Sequence, residues 1–413
     1  MTVTRREFLK TGTLAAASLA ESPLQAREPQ AEPVLRVGLV GCGGRGTGAA
    51  ENVLEAVPNA RITALADLFP ERLEKCRKQL SHQDRFAADD SRCFTGLDGY
   101  KKLLDSGVDY VLLCTPPAFR PEHFEAAVAA GKHAFIEKPV AVDPAGVRRV
   151  LAAGKKAREK GLGVLAGTLF RHDRKHLEPV KRIHDGQIGE IRAVRSLRLG
   201  GGLWSYARRP GQSDVEWQLR NWYYFDWLSG DFLVEMHVHQ LDVVDWILGS
   251  RPISAVGVGG RQQRVDPVYG NIYDHFTVDY EYPAGVTATH VGRQMNGVAE
   301  STEIKVVGSR GVAVLHAGVI RGESPWKFEG PSPNGYVQEH ADLLSSIREG
   351  RPINEAEQVA ESTLTAILGR EAAYTGRKMT REEILKSDLE LGPREVAFGP
   401  YEARPVPVPG SAR

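Results

Sequence analysis

The segment SGDFLVEMHVHQLDVVDW, residues 229–246, sets two acids (Asp231, Glu235), two histidines (His237, His239) and two more acids (Asp242, Asp245) in a short apolar run. Polar groups of this kind are costly to bury unless they are hydrogen-bonded or line a cavity. Read as one helix over 231–248, with about 100° per residue, Glu235, His239 and Asp242 share a face, while His237 lies about 200° round from Glu235. An imidazole has a reference pKa near working pH and could take a proton from a hydroxyl group. Two other uses of the same residues stay open: His239 satisfied inside a buried hydrogen-bond network, or Glu235, His237 and His239 gathered round a metal ion. The opposite facing of His237 disfavours the metal, so no metal site is expected; a break in the helix would reopen it.

A second constellation lies near the start. VLRVGLVGCGGRGTGAAENVLEA places Gly41, Gly43 and Gly46 in G-x-G-x-x-G register between an apolar run and a helix-compatible stretch. Gly41 permits the tight turn, and Gly43 lets backbone approach a pyrophosphate held at the helix N-terminus. Gly44 and Arg45, inside the same loop, are counted with the cofactor-binding residues. The next apolar strand ends at Asp67, close to the ~20-residue offset of the acid that bonds the adenosine ribose. A carboxylate there repels a 2′-phosphate, which favours NAD over NADP.

The elements that must position these residues follow from the alternation of patterns. VDYVLLCTPP and KHAFIEKPV read as buried strands separated by the helical PEHFEAAVAAG, and strands alternating with helices imply a parallel doubly wound sheet. Ligands of such sheets sit at the carboxyl ends of the strands, which is where Thr115, Pro116, Glu137 and Lys138 stand. From about Gly161 the pattern changes, and runs such as ISAVGVGG, DHFTVDYEY, GVTATHVGR and STEIKVVGS are β-rich and punctuated by Gly, Pro or Asn. The expected fold is α/β: an N-terminal Rossmann sheet over 34–160, then an α+β domain over 161–392 with a large, mostly antiparallel open sheet. A closing helix over 357–376 should pack at the domain junction, and a Pro-rich tail, 393–413, should wrap a neighbour or trail loosely.

Composition narrows the function classes. The chain has 413 residues with 53 basic and 52 acidic side chains, so no charge excess points to nucleic acid. Cys42, Cys76, Cys93 and Cys114 are too few and too irregularly spaced for a disulfide framework or a C-x-x-C site. At the N-terminus, TRREFLK followed by TLAAASLA has the paired arginines and short apolar run of a twin-arginine export signal, which assigns 1–33 to a removable segment and the mature chain to the periplasm without a membrane anchor.

Taken together, GCGGRG, Asp67, CTPP, AAGKHAFIEKP and the 229–246 stretch make the sequence resemble the Gfo/Idh/MocA oxidoreductases, over nearly all of the chain after the export segment. The resemblance implies that Lys138 of EKP lies by the nicotinamide and the substrate hydroxyl, where an ammonium stabilises developing alkoxide character. It further implies that His239 is the catalytic base, that Glu235 orients that ring or holds a neighbouring hydroxyl, and that Asp242 is the trailing acid of the pattern. Glu235 stands where the family has Asp, and His237 where it has Gly, so the identity of the sugar does not carry over. His237, Asp242, Arg171 at a strand end, and Trp222 in the aromatic WQLRNWYYFDW are the expected substrate contacts. The implied activity is NAD(P)-dependent oxidation of a sugar, polyol or glycoside hydroxyl by a homo-oligomer, a dimer or tetramer. Outside the cytoplasmic membrane nicotinamide is not replenished, so the cofactor is expected to be tightly bound and recycled within each turnover. The alternatives are a redox-neutral NAD-dependent glycosidase working through a transient keto-sugar, and a non-catalytic NAD-bound sugar sensor or scaffold.

Overall fold

A computed structural model describes residues 33–411. The proposed export segment therefore lies outside the described residues, apart from Pro33. Among the described residues no helix is long and apolar enough to cross a membrane.

The first sheet contains β1 (Leu35–Val40), β2 (Ala60–Asp67), β3 (Cys93–Thr95), β4 (Tyr110–Leu113), β5 (His133–Ile136) and β6 (Val164–Ala166) in the order β3-β2-β1-β4-β5-β6. Every pairing is parallel, as expected where helices connect successive strands. The strand order reverses between β1 and β4, so the loops leaving these two strands flank a crevice. Because β6 pairs with β5, the first sheet extends past residue 160, and the boundary between the layers falls after Ala166.

The second sheet has nine strands: β7 (Ile191–Gly200), β8 (Ser254–Gly260), β9 (His275–Glu281), β10 (Thr287–Gln294), β11 (Ser301–Gly308), β12 (Gly311–Val314), β13 (Val319–Gly322), β14 (Trp326–Lys327) and β15 (Met379–Thr380). Only β7 and β10 pair in parallel; the other pairings are antiparallel. Strand alternation places Phe276, Val278 and Tyr280 of β9 and Ala288, His290 and Gln294 of β10 on the buried face. The closing helix, Ala356–Thr375, and the helix Val238–Leu248 cover that face.

The 231–248 stretch is not one helix. It consists of Phe232–Glu235 and Val238–Leu248, broken at Met236 and His237. The break has a local cause: the His237 ring turns into the sheet, Nδ1 lying 2.9 Å from Nε2 of His290, whose Nδ1 is 3.0 Å from Oγ of Ser196. Gly292 makes room for it, since a Cβ at that position would stand 2.6 Å from Nδ1 of His237. Before the break, Asp231 adopts a left-handed φ of 72°, and its carboxylate accepts from the backbone N–H of Tyr273 at 2.9 Å and from the hydroxyl of Tyr374. After it, two acids dock the second helix on the closing helix. Asp242 accepts from Nε of Arg171 at 2.8 Å, Oγ of Ser362 at 2.6 Å and the Gln358 amide; Asp245 accepts from Tyr282 and Thr365, and burial pushes its pKa up to about 7.

The Pro-rich tail binds its own chain, where the sequence left it to a neighbour or to solvent. The Tyr401 carbonyl accepts from Nε2 of Gln218 at 2.7 Å, Arg404 pairs with Asp226 at 2.6 Å, and the Pro407 carbonyl accepts from the Tyr273 hydroxyl at 2.8 Å. Each anchor satisfies a partly or fully buried polar group, which outweighs the entropy of a free tail.

Two stability tests follow. Removing the Asp242 carboxylate leaves Arg171 partly buried and unpaired, so Asp242→Ala should destabilise the fold by about 3 kcal/mol or more in urea unfolding. Buried His172 lies between Asp342 (2.7 Å) and Glu355 (3.3 Å); burial opposes its charge, but these two partners outweigh it and push the pKa up to about 10. The folded value exceeds the ordinary 6.5, so this contribution is complete below about pH 6.5 and disappears as pH rises through about 10. Unfolding measured from pH 6 to 10 should show a steeper loss for the native sequence than for His172→Asn.

Candidate functional site

The glycine loop leaves β1 at Gly41, whose φ of 97° suits glycine, and the helix Gly44–Ala56 begins within it. A Cβ on Gly46 would stand 1.9 Å from the Gly41 carbonyl oxygen, so the turn closes only with glycine there. Nothing lies within 4 Å of where Gly43 and Gly44 would carry a Cβ, which leaves their backbone open to the crevice. Asp67, at the end of β2, accepts from the backbone N–H of Cys42 at 2.7 Å and of Phe69 at 2.8 Å. Burial raises its pKa, and those two N–H groups oppose the rise. At the end of β4, Thr115 is fixed by His123 (Oγ1 to Nδ1, 3.1 Å) and by Nε of Arg120 on its carbonyl at 2.9 Å.

These residues line one wall of a cleft of about 990 Å³, together with Arg45 and Pro116. Trp204, Tyr206, Trp217 and Trp222 also line the cleft. A nucleotide cofactor fits this lining: N–H groups at a helix start, a carboxylate at the second strand exit, and aromatic rings. Trp222, expected from sequence as a sugar contact, lines this cleft with its ring 6.0 Å from Trp204.

The chemical residues, which are not among those lining that cleft, are assembled from both layers. Lys138, leaving β5, donates from Nζ to the Glu235 backbone oxygen at 2.6 Å and lies 3.3 Å from Oε1 of Glu235; both side chains are largely buried. Its neighbour Glu137 pairs with Arg45, whose guanidinium lies 4.6 Å over the Tyr336 ring. Burial works to raise the Glu137 pKa, but the charges of Arg45, Lys138 and Arg120 bring it below the ordinary carboxylate value. His239 makes no hydrogen bond within the described residues and keeps partial exposure, its ring edge-on to Phe170 at 5.7 Å. Burial first, then the positive charges of Lys138, Arg198 and Arg45, hold its pKa well below 6.5. A neutral imidazole with free ring nitrogens beside an ammonium can accept a proton from a hydroxyl whose oxygen the ammonium stabilises.

Lys138 and Glu235 therefore meet, and the charge of Lys138 is felt at His239, while four sequence expectations change. Glu235 holds Lys138 instead of the histidine ring. His237 is fully buried against His290 and does not reach the cleft. Asp242 and Arg171 are engaged with each other, the guanidinium also lying 5.0 Å from the Trp246 ring. The helix break removes the regular geometry that set His237 apart, yet among the described residues no three His, Cys, Asp or Glu side chains are placed to hold a metal ion. Sequence reasoning missed Arg198, Tyr336, His176 and His316. Arg198 was findable: Val194, Ser196 and Arg198 fall on one face of β7, and a charged residue there marks a cavity.

Comparisons with known proteins agree with this architecture. Residues 35–165 match the model of the oxidoreductase family with an NAD-binding Rossmann fold, Gfo/Idh/MocA, and residues 178–314 match the C-terminal domain of the same family. The chain is 32% identical over 231 residues to dTDP-3,4-didehydro-2,6-dideoxy-alpha-D-glucose 3-reductase of Actinomadura kijaniata, covering 56% of this chain and 60% of that protein. It is 26% identical over 306 residues to inositol 2-dehydrogenase of Rhizobium meliloti (strain 1021), covering 74% of this chain and 81% of that one. The crystal structure of aldose-aldose oxidoreductase from Caulobacter crescentus superposes with a TM-score of 0.65 at 21% identity, over 84% of this chain and 99% of that one, and shares the fold. With both layers matched in order, the chain belongs to the Gfo/Idh/MocA family of NAD(P)-dependent oxidoreductases.

Proposed function

We propose that this protein oxidises a hydroxyl of a sugar, polyol or glycoside with a bound NAD, which is restored within each turnover by passing the hydride on to the carbonyl of a second sugar. The observation that carries this reading is the neutral His239 imidazole, without a hydrogen bond of its own and within the influence of the Lys138 ammonium that Glu235 holds in place. When bound, the nicotinamide ring supplies the hydride acceptor. His239 receives the hydroxyl proton, and Lys138 stabilises the charge gathering on the oxygen. The sugar- and inositol-directed activities named for the two relatives support the substrate class, and the aldose-aldose name of the Caulobacter protein supports a closed cycle. Asp67 supports NAD over NADP, because a carboxylate at the end of β2 repels a 2′-phosphate.

The twin-arginine sequence at Thr4–Lys10 supports export to the periplasm, where a retained cofactor needs no outside supply. The outer face of the second sheet, with Val256 and Val258 at least half exposed, supports a homo-oligomer formed through that face.

His239→Ala should keep bound NAD, measured by mass spectrometry of the native protein, while keto-sugar formation falls by about 10² or more. Unchanged turnover would remove His239 from the mechanism. Because the ring is neutral down to well below pH 6.5, the acid limb of kcat/KM should lie below that value, whereas an ordinary imidazole would begin to fail near it.

A further inference from the structure

Most cations around the chemical end have a strong acceptor, and Arg120, which has no carboxylate, donates to the carbonyls of Thr115 at 2.9 Å and Pro139 at 2.5 Å. Lys138 has Glu235, Arg45 has Glu137 and Arg171 has Asp242. Arg198, half-buried on the inner face of β7, has no carboxylate within salt-bridge distance among the described residues; its Nη2 meets only the Met236 sulfur at 3.4 Å. Met236 directly follows Glu235, so this guanidinium stands beside the residue that holds Lys138. A thioether is a weak acceptor and offsets little of the cost of desolvating a charge.

The same region contains other polar atoms without partners. Both ring nitrogens of His316 and Nε2 of His176 are buried and unpaired within the protein. The two imidazoles meet edge to face at 5.2 Å, and both pack on Phe170, at 5.5 Å for His316 and 4.3 Å for His176. Phe170 is also the ring against which His239 rests. Hydrogen-bonding groups left open around the ring that His239 rests on, with a guanidinium that has neither a carboxylate nor a carbonyl partner, suit a polar ligand carrying negative charge.

We infer that Arg198 is a specificity residue and that the natural substrate is an anionic sugar, whose carboxylate or phosphate group pairs with this guanidinium. The inference rests on the sugar-oxidising reading above and narrows it. Arg198 offers the planar fork that binds a carboxylate or phosphate oxygen pair, whereas a neutral hydroxymethyl group would leave its charge unmatched.

The test uses the full, NAD-loaded protein and matched ligands in gluco, galacto and manno forms: the neutral methyl glycoside, the methyl glycuronide and the sugar 6-phosphate. Calorimetric binding should favour an anionic member by about tenfold or more in at least one series, the preference shrinking with added salt. Preference for the glycuronide identifies the group as carboxylate, and preference for the 6-phosphate identifies it as phosphate. Arg198→Gln should remove the preference, and Arg198→Lys, which keeps the charge and loses the fork, should retain part of it, both with native circular dichroism. Absence of anionic preference in every series, or a preference that survives Arg198→Gln, overturns the inference. Assaying keto-sugar formation on the same ligands separates the two readings: anionic binding without oxidation leaves Arg198 assigned and refutes the oxidoreductase role.

Discussion

The structure turns on one buried contact between layers. An ammonium leaving the parallel sheet at Lys138 is held by the carbonyl and the carboxylate of Glu235, on the short helix that crosses the second sheet. Such a pair is seldom a net source of stability, because desolvation consumes most of its Coulombic gain. Its effect is positional: it fixes the rotation of the 232–235 turn and so the place where the next helix, with His239, begins. The adjacent Glu137–Arg45 pair ties the glycine loop to the same strand exit, so nucleotide end and chemical end share one rigid edge.

Much of this was readable from residue order. The glycine spacing, Asp67 and the two strand exits each follow from a backbone requirement that few residue types can meet, and Gly46 shows how strict that requirement is. The alternating runs after Gly161 likewise specified a large sheet, since period-two burial is a local property of sequence. Lys138 and Glu235, 97 residues apart, could be brought together only through the family resemblance, because nothing local links them.

The misreadings have a common origin. Projecting 231–248 onto one helix assumed a constant angle per residue, and the His237 ring found a better partner in His290 than continuation of the helix offered. That partner, and the space above Gly292, lie on a strand more than fifty residues downstream. In the same way Asp242 looked available because Ser362 and Gln358, on the closing helix, were out of sight. Acids on a helix face report that something polar is opposite, without saying whether it is protein or ligand.

The tail carries a different implication. Tyr401 caps Gln218 on the short helix Asp214–Arg220, whose Trp217 and Arg220 border the cleft, and it does so from 183 residues further along the chain. During synthesis that helix therefore gains its last anchor only when almost the whole polypeptide has left the ribosome.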